Sequence, residues 1–242
     1  MLHVVRAGTG PRILLIHGSA ADHTTWSIQL ASPLRERFEL VAYNRSLATT
    51  VEAQADEARS LLEPEQPAIV VGSSFGAVIA LDLIRRHSVA GAVLIEPPMG
   101  ASDDVAAAPA AFLAEYDRCA AEQGGPAAAE MFLRTVLGDA AYARMPRAFQ
   151  ERSKSKHAEI RADSAALIAY RPRYAELASV TTPVLLLGAE KSASYFRPTL
   201  DALFASLPDA RLEVIPGAGH MLHAEAHRRF ADSLTAFTLA CL

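Results

Sequence analysis

The chain has 242 residues, 51% of them apolar and 21% charged, which excludes a disordered, collagen-like or long coiled-coil protein. At about 150 residues per domain it makes one or two domains, with a core large enough to need no staples. Its 23 Lys and Arg against 27 Asp and Glu give a net charge of −4, without the basic footprint that nucleic acid requires.

Short β-branched runs recur along the chain, each ending in a turn signal: Leu2–Arg6, Ile13–His17, Leu40–Tyr43, Ile69–Gly72, Ala92–Ile95, Val184–Gly188 and Leu212–Ile215. Continuous apolar runs of this length suit strands buried on both faces, hence a parallel sheet. Helical patterns over 26–37, 50–63, 76–87, 197–206 and 224–239 alternate with them. The alternation predicts a doubly wound α/β fold. Residues 99–178 break the rhythm. They are rich in Ala, Glu and Arg, hold no convincing strand, and carry breaks at Pro109, Gly124-Gly125-Pro126, Gly138, Pro146 and Pro172. They read as helices inserted between two strands, which divides the chain into a core of 1–98 and 179–242 and a helical unit of 99–178.

Two cysteines, Cys119 and Cys241, make neither a disulfide framework nor a CxxC pair. The usage points to a reduced, cytoplasmic protein. The first residues, Met1 to Arg6, lack the apolar stretch of a secretion signal, and no apolar run reaches the ~20 residues of a membrane helix. Neither nucleic acid nor membrane is expected as a partner.

The most informative stretch is Ile69-Val70-Val71-Gly72-Ser73-Ser74-Phe75-Gly76-Ala77-Val78, which reads strand, Gly-x-Ser-x-Gly, helix. A serine hydroxyl is a poor nucleophile unless it is exposed, aimed and served by a base. A sharp strand-to-helix turn lifts Ser74 above the sheet edge, and Gly72 and Gly76 remove side chains that would clash. Ser73, beside it, reads as structural. Upstream, Ile13–Ile16 runs into His17-Gly18-Ser19. An acyl-transfer site needs two N–H donors aimed at the developing oxyanion. Phe75, after the nucleophile, and Ser19, in this earlier loop, are the candidates; His17 reads as a turn histidine without a proton-transfer role. Downstream, Leu212–Ile215 leads through Pro216-Gly217-Ala218-Gly219 to His220, a base on a loop at the same sheet edge.

These three motifs in this order resemble the α/β-hydrolase superfamily. The likeness runs from the first strand to the last helix apart from 99–178, which then looks like the family's cap over the active site. The resemblance implies an α/β-hydrolase fold, a catalytic pair Ser74 and His220, oxyanion donors Ser19 and Phe75, and no cofactor or metal. Relatives typically carry the third catalytic residue, an aspartate, after the strand that follows the cap. Here that position holds Ser192, which cannot supply the charge. Glu190 lies on the same loop. Glu96 ends the strand Val93-Leu94-Ile95, 22 residues after Ser74, where some superfamily members place the acid. An anion ending a buried strand just before Pro97-Pro98 needs a reason, so Glu96 is preferred and Glu190 is the alternative.

A serine nucleophile implies acyl transfer: cleavage of a carboxylic ester, lactone or thioester, with a small-molecule acyl substrate. A carbon–carbon bond hydrolase of the same fold and a non-catalytic ligand-binding homologue are the competing readings. His220, His223 and His227 offer a zinc pair on paper, but not in the His-Glu-x-x-His order. The segment Tyr43-Asn44-Arg45-Ser46 lacks the glycines usual in the family, so the loop after the third strand is reshaped. The chain is expected to be a monomer or homodimer.

Overall fold

The computed structural model describes the chain apart from Met1 and residues 64–65, 103–106 and 172–173; the side chains of 107–109 and Ala175 are likewise outside the description. The predicted break at Pro172 therefore lies outside the described residues.

Seven strands form one sheet: β1 (Val4–Ala7), β2 (Arg12–Ile16), β3 (Glu39–Tyr43), β4 (Ala68–Ser73), β5 (Gly91–Ile95), β6 (Val184–Ala189) and β7 (Ala210–Ile215). Their order is β1-β3-β2-β4-β5-β6-β7, and every neighbouring pair is parallel except β1 with β3. Side chains alternate between two buried clusters. Leu14, Ile16, Val70, Leu94 and Leu186 face one way; Ile13, Leu15, Ile69, Val71, Val93, Leu185 and Leu187 face the other. With both faces covered, the strands read as unbroken apolar runs.

The first face is covered by α2 (Val51–Arg59), α3 (Phe75–Arg86) and α9 (Phe196–Ser206). The second is covered by α10 (Leu222–Glu225), α11 (His227–Cys241) and the region around Trp26 and Leu34. Two predicted helices are interrupted. The pattern over 26–37 is a 3-10 turn His23–Trp26, α1 (Ser27–Ala31) and a second 3-10 turn Pro33–Glu36. Pro33 has no N–H to continue the ladder, and it holds Ser32 extended at φ −82°, ψ 169°. The pattern over 224–239 splits at Ala226, between α10 and α11.

Between β5 and β6, which are neighbours in the sheet, the chain makes α4 (Ala107–Gln123), α5 (Gly125–Leu137), α6 (Asp139–Arg144), α7 (Arg147–Ser155) and α8 (His157–Ala169). Pro109 sits in the first turn of α4, where a missing N–H costs nothing. Gly124 and Gly138, at φ +92° and +82°, provide the junctions that end α4 and α5. This segment has its own apolar cluster, with Tyr116, Cys119, Leu133, Tyr142 and Ile160. Cys119 is a buried packing residue there. Of the segment's other aromatics, Phe112 and Phe132 pack edge to face, Tyr170 joins the sheet core, and Phe149 is exposed. Tyr174 donates its hydroxyl hydrogen to the Gly100 carbonyl. One member of the helical cluster comes from elsewhere: Ala20, in the loop after β2.

Candidate active site

The end of β4 turns into α3 at a single strained residue. Ser74 has φ +55° and ψ −123°, a region that non-glycine residues rarely occupy. Its N–H is held by the Ile95 carbonyl at 2.8 Å, which fixes the turn against β5. The glycines around it are demanded by contact rather than by φ. A Cβ at Gly72 would lie 2.2 Å from the Gly76 carbonyl oxygen, and one at Gly76 would lie 2.4 Å from that of Ile16. The apolar β-branched strand, the two glycines and the buried start of α3 together leave Ser74 as the partly exposed residue of the turn, with Ser73 buried beside it.

On the adjacent strand end sits Glu96, also at positive φ (+43°) and 1% exposed. Its carboxylate is saturated with donors. Oε1 accepts the Ala189 N–H at 2.8 Å; Oε2 accepts the Ser192 hydroxyl at 2.7 Å and His220 Nδ1–H at 2.6 Å. Because a carboxylate only accepts, Nδ1 carries the hydrogen and Nε2 is left for another partner. His220 is buried, and Phe196, at the start of α9, stacks flat on its ring at 4.5 Å and 10°. Among the described residues no hydrogen bond joins Ser74 Oγ to His220. Such contacts commonly tighten only with substrate in place.

The loop after β2 passes over the turn. Gly18 is packed so tightly on Ser74 that a Cβ there would lie 2.9 Å from the serine Cβ. Beneath the loop lies a buried polar network. Arg45 pairs with Asp163 of α8 through two bonds of 3.0 and 2.7 Å and donates to the Gly18 carbonyl at 3.1 Å. Ser19 Oγ–H donates to Asp163 at 2.7 Å, Gln54 accepts from Arg45, and the Arg45 guanidinium lies 5.1 Å over the Phe75 ring. Burial alone would push the Arg45 guanidinium down, but Asp163 more than offsets it and holds it above its ordinary value. His17 Nδ1 bonds the Gly18 carbonyl at 2.8 Å, and its Nε2 accepts the Arg45 N–H at 3.2 Å. The second contact specifies a neutral ring, because an Nε2 that accepts carries no hydrogen. Burial, aided by Arg45, accordingly holds the His17 pKa well below the ordinary histidine value.

The alpha/beta hydrolase family matches residues 13–233. The chain belongs to this family. Solved α/β-hydrolase structures superpose over nearly its whole length. An esterase from Thermogutta terrifontis does so with a TM-score of 0.80 and 22% identity, covering 99% of this chain and 93% of that one. MenH from S. aureus gives a TM-score of 0.83 at 14% identity, covering 100% and 99%. The enol-lactonase from Burkholderia xenovorans LB400 gives 0.78 at 18%, covering 98% and 96%. At such identities the likeness is one of fold. In sequence, the chain is 38% identical over 99 residues to the uncharacterized hydrolase YraK of Bacillus subtilis (strain 168). The match spans 36% of this chain and 36% of that protein.

Set on the α/β-hydrolase frame, Ser74, Glu96, His220, Ser19 and Phe75 gather at the carboxyl end of the parallel strands, where open α/β sheets bind ligands. Among the described residues no hydrogen bond or ion pair joins Glu190 to His220. It is exposed and accepts the Gly217 N–H at 2.7 Å, bracing the loop that carries the histidine. His223 and His227 do not share a helix face, because the helix breaks at Ala226 between them. His223 is buried against Trp26, with ring centroids 4.6 Å apart, and burial and the neighbouring His220 push its pKa down to about 3; His227 is exposed. On the helical segment, Lys154 and Lys156 pair with Glu151 and Glu159. Among the described residues no helix is long and apolar enough to cross a membrane.

Sequence reading missed Arg45, Gln54, Asp163 and Phe196, and saw Ser192 only as a missing aspartate. Asp163 did leave a signal. It stands on the buried face of α8 between Ile160 and Ala166, an acid at helical spacing in an apolar stripe.

Proposed function

We propose that the protein is a serine hydrolase of carboxylic esters, with lactones and thioesters as related substrates, and that 99–178 is the cap that shapes its acyl site. Ser74 Oγ attacks the acyl carbon while its proton passes to His220 Nε2. The oxyanion of the tetrahedral adduct is taken by the N–H groups of Ser19 and Phe75, with no N–H from a charged side chain required. His220 Nε2–H then protonates the leaving alcohol oxygen as the C–O bond breaks, leaving an acyl-serine. Water attacks this ester, gives one proton to His220, and the acid departs as Ser74 regains its hydrogen. Glu96 keeps Nδ1 as the donor and stabilises the imidazolium formed in each half-reaction.

The observation that carries this reading is the 2.6 Å contact of His220 with Glu96 beside the strained Ser74 turn. Strain held at the Ser74 turn, and a buried acid bonded to the imidazole of His220, serve acyl transfer better than they serve a binding protein. The test is fluorophosphonate labelling followed by intact mass. A single adduct on the wild type that is absent from Ser74→Ala is the expected result. A folded wild type that takes no adduct overturns the reading.

A further inference from the structure

Resting on that reading, we propose that Arg45 and Asp163 are positioning residues that set the oxyanion hole, so that the helical segment is a working part of the catalytic site and not only a cover.

The two groups the hole needs are the N–H of Ser19 and the N–H of Phe75. The first belongs to the Gly18–Ser19 peptide. Among the described residues no peptide bond is cis, so in this peptide C=O and N–H point in opposite directions. Whatever fixes the carbonyl therefore aims the N–H. Two donors fix it from one side, His17 Nδ1–H at 2.8 Å and the Arg45 guanidinium at 3.1 Å. A cation on the carbonyl oxygen also draws charge from the amide and makes its N–H a stronger donor. The same guanidinium lies over the ring of Phe75, the residue that supplies the second N–H. One buried cation thus contacts the carbonyl of the first donor peptide and the side chain of the residue that carries the second donor.

Arg45 is 5% exposed and cannot hold this place without a counter-charge. Asp163 supplies it from the helical segment, 118 residues away in sequence, through a two-bond fork. Its Oδ2 also takes the Ser19 hydroxyl, so the acid grips the peptide's own side chain as well as its cation. Next along the loop, Ala20 at φ +59° packs in the helical segment's apolar cluster. Three successive residues, Gly18, Ser19 and Ala20, are therefore held by groups that α8 and its neighbours either supply or anchor. Displacing α8 would leave Arg45 uncompensated and release the Gly18–Ser19 peptide, which makes loss of the hole a consequence of cap opening.

The test replaces the buried pair by apolar groups of similar size, Arg45→Met with Asp163→Leu, an exchange that usually preserves folding. Ser19→Ala is a second variant that keeps both charges and the N–H but removes the hydroxyl grip. Hydrolysis of p-nitrophenyl acetate and inhibition by an aryl trifluoromethyl ketone are measured on each. The ketone forms a tetrahedral adduct that uses the same hole. The double variant is expected to lose roughly 10- to 100-fold in kcat with KM within about twofold, and its inhibition constant should rise in step with KM/kcat. Ser19→Ala should lose about threefold to tenfold in the same way. A merely structural pair would instead raise KM or lower Tm and leave the ketone's relative affinity unchanged, which overturns the proposal. Wild-type labelling on Ser74 separates the two claims. If the wild type is labelled and the variants keep kcat, only the positioning role fails; if the wild type is not labelled, the hydrolase reading fails and the role with it.

Discussion

The rim of the sheet and the helical segment use the same charged residue types in opposite ways. On the helices, Arg118 pairs with Glu115 and Glu122, Arg134 with Glu130 and Asp139, and Arg161 with Asp117, all of them open to water. Such pairs are screened and contribute little. At the rim, Glu96 is 1% exposed and Arg45 5%, and each has its partners supplied by backbone and side chains fixed from several elements. The rim also carries the three non-glycine residues of positive φ among the described residues: Ala20, Ser74 and Glu96. Buried charge and backbone strain coincide at the rim, the end proposed to do the chemistry. Buried charge is not confined to the rim, since Asp82 is buried between Arg85 and Arg86 on α3, but no positive-φ residue accompanies it there.

That contrast can be pressed hardest at Gly72. The Gly72→Ala methyl must displace backbone, so it should cost more than about 4 kcal/mol and abolish labelling of Ser74, read by urea unfolding and by mass. Next in size is Ser192→Ala, which removes one of the donors to Glu96. Stability should fall by about 1–3 kcal/mol, the cost of a lost bond to a buried charge, with a several-fold loss in kcat. The pH dependence of folding follows from His17 and His223, whose pKa values are lowered from 6.5 by burial, that of His223 to about 3. In acid the unfolded chain takes up protons that the folded one refuses. Stability is thus full above pH 6.5 and is lost as pH falls toward the folded values, by about 1.4 kcal/mol per unit for each histidine. His223→Phe should flatten part of that slope in unfolding curves at pH 7 and pH 4.5. Smallest of all, Arg134→Ala on the helical surface should leave Tm and kcat unchanged within error; a large effect there would erase the distinction between the two regions.

Much of the rim could be read from sequence because its signals are local. The run Val70-Val71-Gly72-Ser73-Ser74 contains both the buried strand and the glycine that permits the turn, and structure and pattern agree there to within a residue. Helix ends were less legible. Pro33 broke one predicted helix, and nothing in the apolar spacing announced the break at Ala226. The network around Arg45 was hidden for a different reason. Ser19 and Asp163 are 144 residues apart, and a bond across that distance leaves no spacing to read. Ser192 shows how a departure can be misread in isolation. In isolation it reads as an acid gone missing, yet its hydroxyl donates to Glu96, the carboxylate at the end of the neighbouring strand.

The account stands or falls on Glu96 as the acid that orients His220. The direct measurement is kcat for p-nitrophenyl acetate in Glu96→Gln and Glu190→Gln, each checked for folding by circular dichroism. Glu96→Gln should fall about 10⁴-fold, because an amide can no longer hold the imidazole in its working tautomer or balance the imidazolium. Glu190→Gln should stay within about threefold of wild type. A folded Glu96→Gln enzyme with near-normal kcat, or a collapse in Glu190→Gln instead, would contradict the assignment.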